Sequence, residues 1–148
     1  MSFLLSLLFV VIAAVTGVAF LGKGLVGLGR GGLAPSLRAL AHLVGAGAAV
    51  LYALGMLVVA GAVLEAEDGG TDSSPIIPCR TGVTASDYRI DDYRVWYVPV
   101  RFVCHRNDGS TYDRQVPGYV NPTLAALTVT GVGLRMSARY VDERARKS

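Results

Sequence analysis

Cys79 and Cys104 are the only cysteines in the 148 residues, and His105 stands directly beside the second. Such a set can ligate a metal or close a disulfide. Zinc sites favour closely paired ligands, and these two cysteines are far apart with one histidine adjacent, so a disulfide is expected. Closing a loop of about 25 residues stabilises by about 3–4 kcal/mol on the chain-entropy model. With both thiols consumed, no Cys-His nucleophile can be assembled, and no Ser-His-Asp set either. The reading is therefore of a chain that is no enzyme and holds no metal or cofactor.

Glycine-rich patterns invite a nucleotide reading. Gly22-Lys23-Gly24-Leu25-Val26-Gly27 and Gly27-Leu28-Gly29-Arg30-Gly31-Gly32 both match G-x-G-x-x-G. Dinucleotide binding needs that turn between a strand and a helix, with an acid about 20 residues on. Here an apolar run precedes it and apolar residues follow. Gly17 to Lys23 spells G-x-x-x-x-G-K, but Gly24 replaces the magnesium-binding hydroxyl residue. Chance in a chain with 18 glycines accounts for these matches. The acids Asp87, Asp91 and Asp92 lack the alternating ligands of a calcium loop. With Arg89 and Arg94 interleaved they read as a solvated charged face.

The residues with most capacity for recognition lie between Tyr88 and Arg106, where aromatic and β-branched types give strand composition. Tyr93, Val95, Trp96, Tyr97 and Phe102 are the candidate partner-binding residues, because rigid aromatics bury large areas at low entropic cost. Read as one continuous strand, alternation places Trp96, Val98, Val100, Phe102 and Cys104 on one face. Val95, Tyr97, Arg101, Val103 and His105 fall on the other, and a slip of one residue exchanges the two. Pro99 donates nothing to a ladder and marks an edge or a break. Asn107-Asp108-Gly109-Ser110 is a hairpin turn signal, with the chain returning through Thr111 to Val116. Residues 66–78, with Gly69-Gly70, Ser73-Ser74, Pro75 and Pro78, read as a linker.

The elements that carry this segment are apolar. Hydrophobic residues make up 52% and charged residues 17%. Residues 3–22 hold no charge, and 39–64 none beyond a protonatable His42. Each run matches a hydrocarbon core about 30 Å thick. The basic turn 23–38 has Lys23, Arg30 and Arg38 without an acid, 65–118 has a net negative charge, and the tail from Arg135 is basic again. Retention of Lys and Arg on the cytoplasmic side places the turn and tail inside, and 65–118 and the N-terminus outside. A signal peptide is disfavoured, since Met1-Ser2-Phe3 offers no basic n-region.

A third crossing is expected from Asn121-Pro122, a helix start, although its uncharged stretch, 119–134, is short. Arg135 and Arg139 extend it by running their stems along lipid. The alternative is a re-entrant or interfacial helix. His42 is expected at the cytoplasmic end of the second span. No carboxylate lies within any span to support a proton path.

The expected fold class is a mainly α membrane protein: three transmembrane helices with a small disulfide-closed β-hairpin domain between helices 2 and 3. Its segments are helix 1 (1–22), a Gly-rich basic cytoplasmic loop (23–38), helix 2 (39–64), an extracytoplasmic domain (65–118), helix 3 (119–138) and a basic cytoplasmic tail (139–148). Gly45, Ala49, Ala53 and Gly61, spaced by four or its multiples, are expected as a helix-packing stripe. Ala13 and Gly17 do the same in the first span. Arg outnumbers Lys 12 to 2, which suits GC-rich coding and a bacterial source. The expected partners are the lipid bilayer and other membrane proteins or a second copy, with no nucleic acid. The expected function is a non-catalytic accessory, assembly or scaffold subunit. Behind it stand an extracytoplasmic ligand- or lipid-binding sensor and then a membrane enzyme.

Overall fold

The structure, a computed structural model, describes residues 2–68, 77–79, 90–106, 109–114 and 116–147. The order is α1 (Ser2–Leu28), α2 (Leu33–Asp68), a 3-10 turn (Ile77–Cys79), β1 (Ile90–Tyr97), β2 (Val100–Arg106), β3 (Thr111–Arg114) and α3 (Val120–Lys147). The protein is mostly helical with one small antiparallel sheet in the order β1-β2-β3. Helices α1 and α2 are long and apolar enough to cross a membrane. Linker residues 69–76, Asp87 and Arg89, and the turn residues Asn107 and Asp108 lie outside the described residues.

Both apolar helices run beyond the expected spans. The 23–38 loop contracts to a turn at residues 29–32, with Lys23 on α1 and Arg38 on α2. Gly32 takes a φ of +114° there, a conformation costly for a residue with a Cβ. The Ser36 hydroxyl donates to the Gly32 carbonyl at 2.8 Å.

The chain divides into two compact units: Met1–Val10 with Leu54–Val120, and Val11–Ala53 with Asn121–Ser148. The first holds the sheet. On α2, Met56, Val59, Ala60 and Val63 are buried, the i, i+3, i+4, i+7 pattern of a covered helical face. Gly55 lies on the same side, and a Cβ there would sit 3.2 Å from Val120 and 3.6 Å from Val100. Leu57, Val58 and Leu64, on the opposite face, are exposed.

In the second unit α1 and α2 pack through glycines. A Cβ on Gly24 would lie 2.6 Å from Leu43, one on Gly27 would lie 3.0 Å from Ala39, and one on Gly17 would lie 3.4 Å from Ala49. The reverse holds at Gly45, where the Phe20 ring occupies the space. Gly17, Phe20, Gly24 and Gly27 follow heptad-like spacing, so one α1 face meets α2 from Gly17 to Gly27. The glycines that mimic a dinucleotide motif thus include two that bring helices together.

Helix α3 runs antiparallel to α2 within this unit. Gly131 approaches Ala41 and Val44, the Arg135 guanidinium donates to His42 Nε2 at 3.2 Å, and Arg38 pairs with Asp142.

Candidate functional site

Strand β1 ends at Tyr97 because Val98-Pro99, joined by a cis peptide bond, makes a two-residue reversal into β2. The expected single strand is therefore a hairpin, and the reversal changes which residues share a face. Tyr97 pairs with Val100, Val95 with Phe102 and Tyr93 with Cys104, while Trp96 pairs with Arg101. Cross-strand partners point the same way. Trp96 is thereby separated from Val100, Phe102 and Cys104, with which uninterrupted alternation had grouped it, and Val95 and Tyr97 join them instead. Pro99 is the break that its missing N–H permits.

The covered face is the unit's own core. Val100, Phe102 and Cys104 are buried, and Tyr93 stacks on Phe102 with ring centroids 5.2 Å apart. Tyr97 stacks on Phe9 of α1 at 4.8 Å. The Tyr93 hydroxyl donates to Glu67 Oε1 on α2 at 3.3 Å. Burial, then the Glu67 charge, raises the Tyr93 phenol above its ordinary range, because both penalise the phenolate.

The disulfide joins Cys79 to Cys104 with Cα atoms 6.0 Å apart, so the metal alternative with His105 falls. Cys104 and His105 also point to opposite faces, as neighbours on a strand must. Tyr112, the cross-strand partner of Cys104, donates its hydroxyl to the Cys79 carbonyl. The 3-10 turn is thus fastened to β2 by sulfur and to β3 by a hydrogen bond. The β2–β3 turn is closed by Arg106 N–H to the Ser110 carbonyl at 3.0 Å, with Gly109 at φ +82°. Strand β3 ends at Arg114, two residues before the expected Val116.

The other face is open. Trp96 is 49% exposed and Val98 at the hairpin tip 80%. Arg94 is exposed beside them, and Arg101 pairs with Asp113 at 3.6 Å. Of the five aromatic-segment candidates, Phe102 is interior, Tyr93, Val95 and Tyr97 are half-buried on the covered face, and only Trp96 faces outward. Val98 joins Trp96 there because it sits in the reversal and not within a strand, a placement that strand alternation does not give. Among the described residues no three His, Cys, Asp or Glu side chains gather to hold a metal ion.

The helix stripe divides too. Gly45 and Ala49 meet α1, Ala53 is half-buried, and Gly61 opens onto free space. Each four-residue step advances about 40° around a helix of 3.6 residues per turn, so four steps carry Gly61 about 160° from Gly45. Gly55 is the small residue the sheet needs. A single glycine off the four-residue repeat gives no pattern to find it by. Comparison with known protein families, curated proteins and solved structures finds no match for this chain.

Proposed function

We propose that the protein is an integral membrane accessory subunit, non-catalytic, which engages another membrane protein through the outward face of its sheet. The observation that carries this reading is the exposure of Trp96 and Val98 together on a sheet whose other face is already filled. A large aromatic flanked by Arg94 and Arg101 has the composition of an interface hot spot. The alternative, a ligand sensor reading through the aromatic face, has less support, since Tyr93, Tyr97 and Phe102 stack on one another or on Phe9.

In this reading α1, α2 and α3 cross the bilayer, the N-terminus and the sheet lie outside the cytoplasm, and the basic turn and tail lie inside. Charge retention supports the orientation. The Arg38–Asp142 pair supports a third crossing, because it brings the tail to the same end of α2 as the basic turn. Single cysteines introduced at positions 30, 110 and 144 after replacing the native pair test it. Only position 110 should react with an impermeant reagent in intact cells, and labelling at 144 removes the third crossing.

Co-purification in mild detergent with mass spectrometry tests the partner. A stoichiometric membrane protein is expected, and Trp96→Ala should deplete it at unchanged folded yield. Trp96 is the only tryptophan, so its emission should shift to the blue when that partner is added back. Equal recovery with wild type and Trp96→Ala overturns the interface.

A further inference from the structure

Between α1, α2 and α3 lies a cavity of about 440 Å³ lined by Phe20, Gly45, Ala48, Leu127 and Val132, with His42, Arg135 and Arg139 also on its wall. Its walls are chiefly apolar, whereas its charges are all of one sign. Asp142, the acid of the same helix stretch that forms an ion pair, is engaged by Arg38. Among the described residues neither Arg135 nor Arg139 has a carboxylate within ion-pair distance. Arg135 instead lies 3.2 Å from His42 Nε2, a contact that positions the guanidinium and supplies no negative charge. Two uncompensated guanidiniums on an apolar cavity between helices call for an anion that carries a hydrocarbon chain.

We infer that this groove is a binding site for an anionic phospholipid of the bilayer. The phosphate is held by Arg135 and Arg139, and an acyl chain lies in the cavity against Gly45, Ala48 and Leu127. Guanidinium suits phosphate because it presents several donors in a fixed fork. Basic pockets between membrane helices on the cytoplasmic side select anionic headgroups by this means. Gly45 keeps the Phe20 ring close to α2, and Gly131 lets α3 approach Ala41 and Val44 of α2. Arg135 is held in place before lipid arrives, so less side-chain freedom is lost on binding.

The site rests on the membrane reading, and the test separates the two. Protein purified in mild detergent is titrated by native mass spectrometry with phosphatidylglycerol and with phosphatidylcholine of identical chains. The anionic lipid is expected to bind about thirtyfold more tightly, as two basic residues at a membrane surface imply. Arg135→Gln with Arg139→Gln should bring the two lipids to within about twofold of each other. Ala48→Phe, which fills the groove and alters no charge, should displace both lipids. Circular dichroism on each variant confirms that the helices persist, and either variant alone suffices to decide.

Equal binding of the two lipids by wild type overturns the site. So does a preference that survives the arginine pair, or lipid binding unchanged by Ala48→Phe. Carbonate extraction of the source membranes reports the membrane reading independently. Protein retained in the pellet without lipid selectivity defeats the lipid site alone, whereas release into the supernatant defeats both.

Discussion

Tyr97 of β1 lies against Phe9 of α1 with ring centroids 4.8 Å apart and planes 24° from parallel. The pair fastens the tip of a hairpin to a helix that precedes it by almost ninety residues in sequence. Stacked aromatics contribute beyond the area they bury. Tyr97→Ala is therefore expected to destabilise by about 1–3 kcal/mol, the range for truncating a partly buried aromatic. Phe9→Ala should cost a similar amount, and the double variant less than their sum, since each loses the same contact. Trp96→Ala, on the opposite face, should stay within about 0.5 kcal/mol of wild type. Thermal unfolding followed by circular dichroism checks all four. A large loss from Trp96→Ala would return that residue to the core.

Helix packing offers a sharper contrast between two neighbouring glycines. A Cβ on Gly24 would meet Leu43 Cδ2 at 2.6 Å, Leu43 Cγ at 2.8 Å and the Ala39 carbonyl at 3.2 Å, whereas one on Gly22 would meet nothing within 4 Å. Gly24→Ala is expected to lower stability by about 1–3 kcal/mol through overpacking. Gly22→Ala should be neutral or raise it by up to about 1 kcal/mol, since alanine restricts the unfolded chain and favours helix. Unfolding midpoints in one detergent compare them directly. Equal midpoints for the two variants would mean that α1 and α2 do not pack along this face.

How much of this was legible in the sequence depends on the range of the signal. The two apolar helices and the disulfide follow from composition and cysteine number, properties that no register can alter. The strand segment was legible too, but its facing was not. Whether Trp96 groups with Phe102 or with Arg101 turns on the reversal at Val98-Pro99, and a two-residue turn exchanges faces where a continuous strand would keep them. Pro99 signalled a break without giving the number of residues inside it. On α2 the four-residue spacing of Gly45, Ala49 and Ala53 was readable, yet extending it to Gly61 ignored the accumulated rotation. Gly17, Gly24 and Gly27 carried the packing signal, hidden because the same glycines match a nucleotide-loop pattern. The cavity at Arg135 and Arg139 needs three helices to form it, so no single stretch of sequence contains it.

The double fastening of Cys79 separates covalent from hydrogen-bonded support. Cys104 and Tyr112 are cross-strand partners, one bonded to the Cys79 sulfur and the other donating to its carbonyl. Replacing both cysteines by alanine should cost about 3–4 kcal/mol by releasing the closed loop in the unfolded chain. Tyr112→Phe should cost about 1 kcal/mol, the net contribution of one hydrogen bond. Limited proteolysis between residues 80 and 103 reads both, with faster cleavage expected in the order wild type, Tyr112→Phe, double cysteine variant. Cleavage of the double cysteine variant at the wild-type rate would show that the sheet holds this segment unaided.

Tyr93 gives the sheet a pH dependence whose sign is fixed. Its phenol is raised above the ordinary value of 10.0, first by burial, then by the charge of Glu67 and the hydrogen bond to it, with Asp92 and Tyr97 adding smaller amounts. A raised folded value means that the folded protein holds the phenolic proton more tightly than the unfolded chain does. The associated stability is fully present below the unfolded value of about 10 and is lost as pH rises through the folded one. Alkaline titration should therefore weaken the wild-type sheet in that window. Tyr93→Phe has no proton to lose and should show a flatter alkaline limb. Glu67→Gln removes the charge and leaves the burial, so it should lower the phenol's value only part of the way. Tyrosinate absorbance followed during titration measures this directly: the latest-titrating component should vanish in Tyr93→Phe and move to lower pH in Glu67→Gln. An upper limb unchanged in both variants would show that the Tyr93 phenol does not donate to Glu67, and that the hairpin is held to α2 by its apolar face alone.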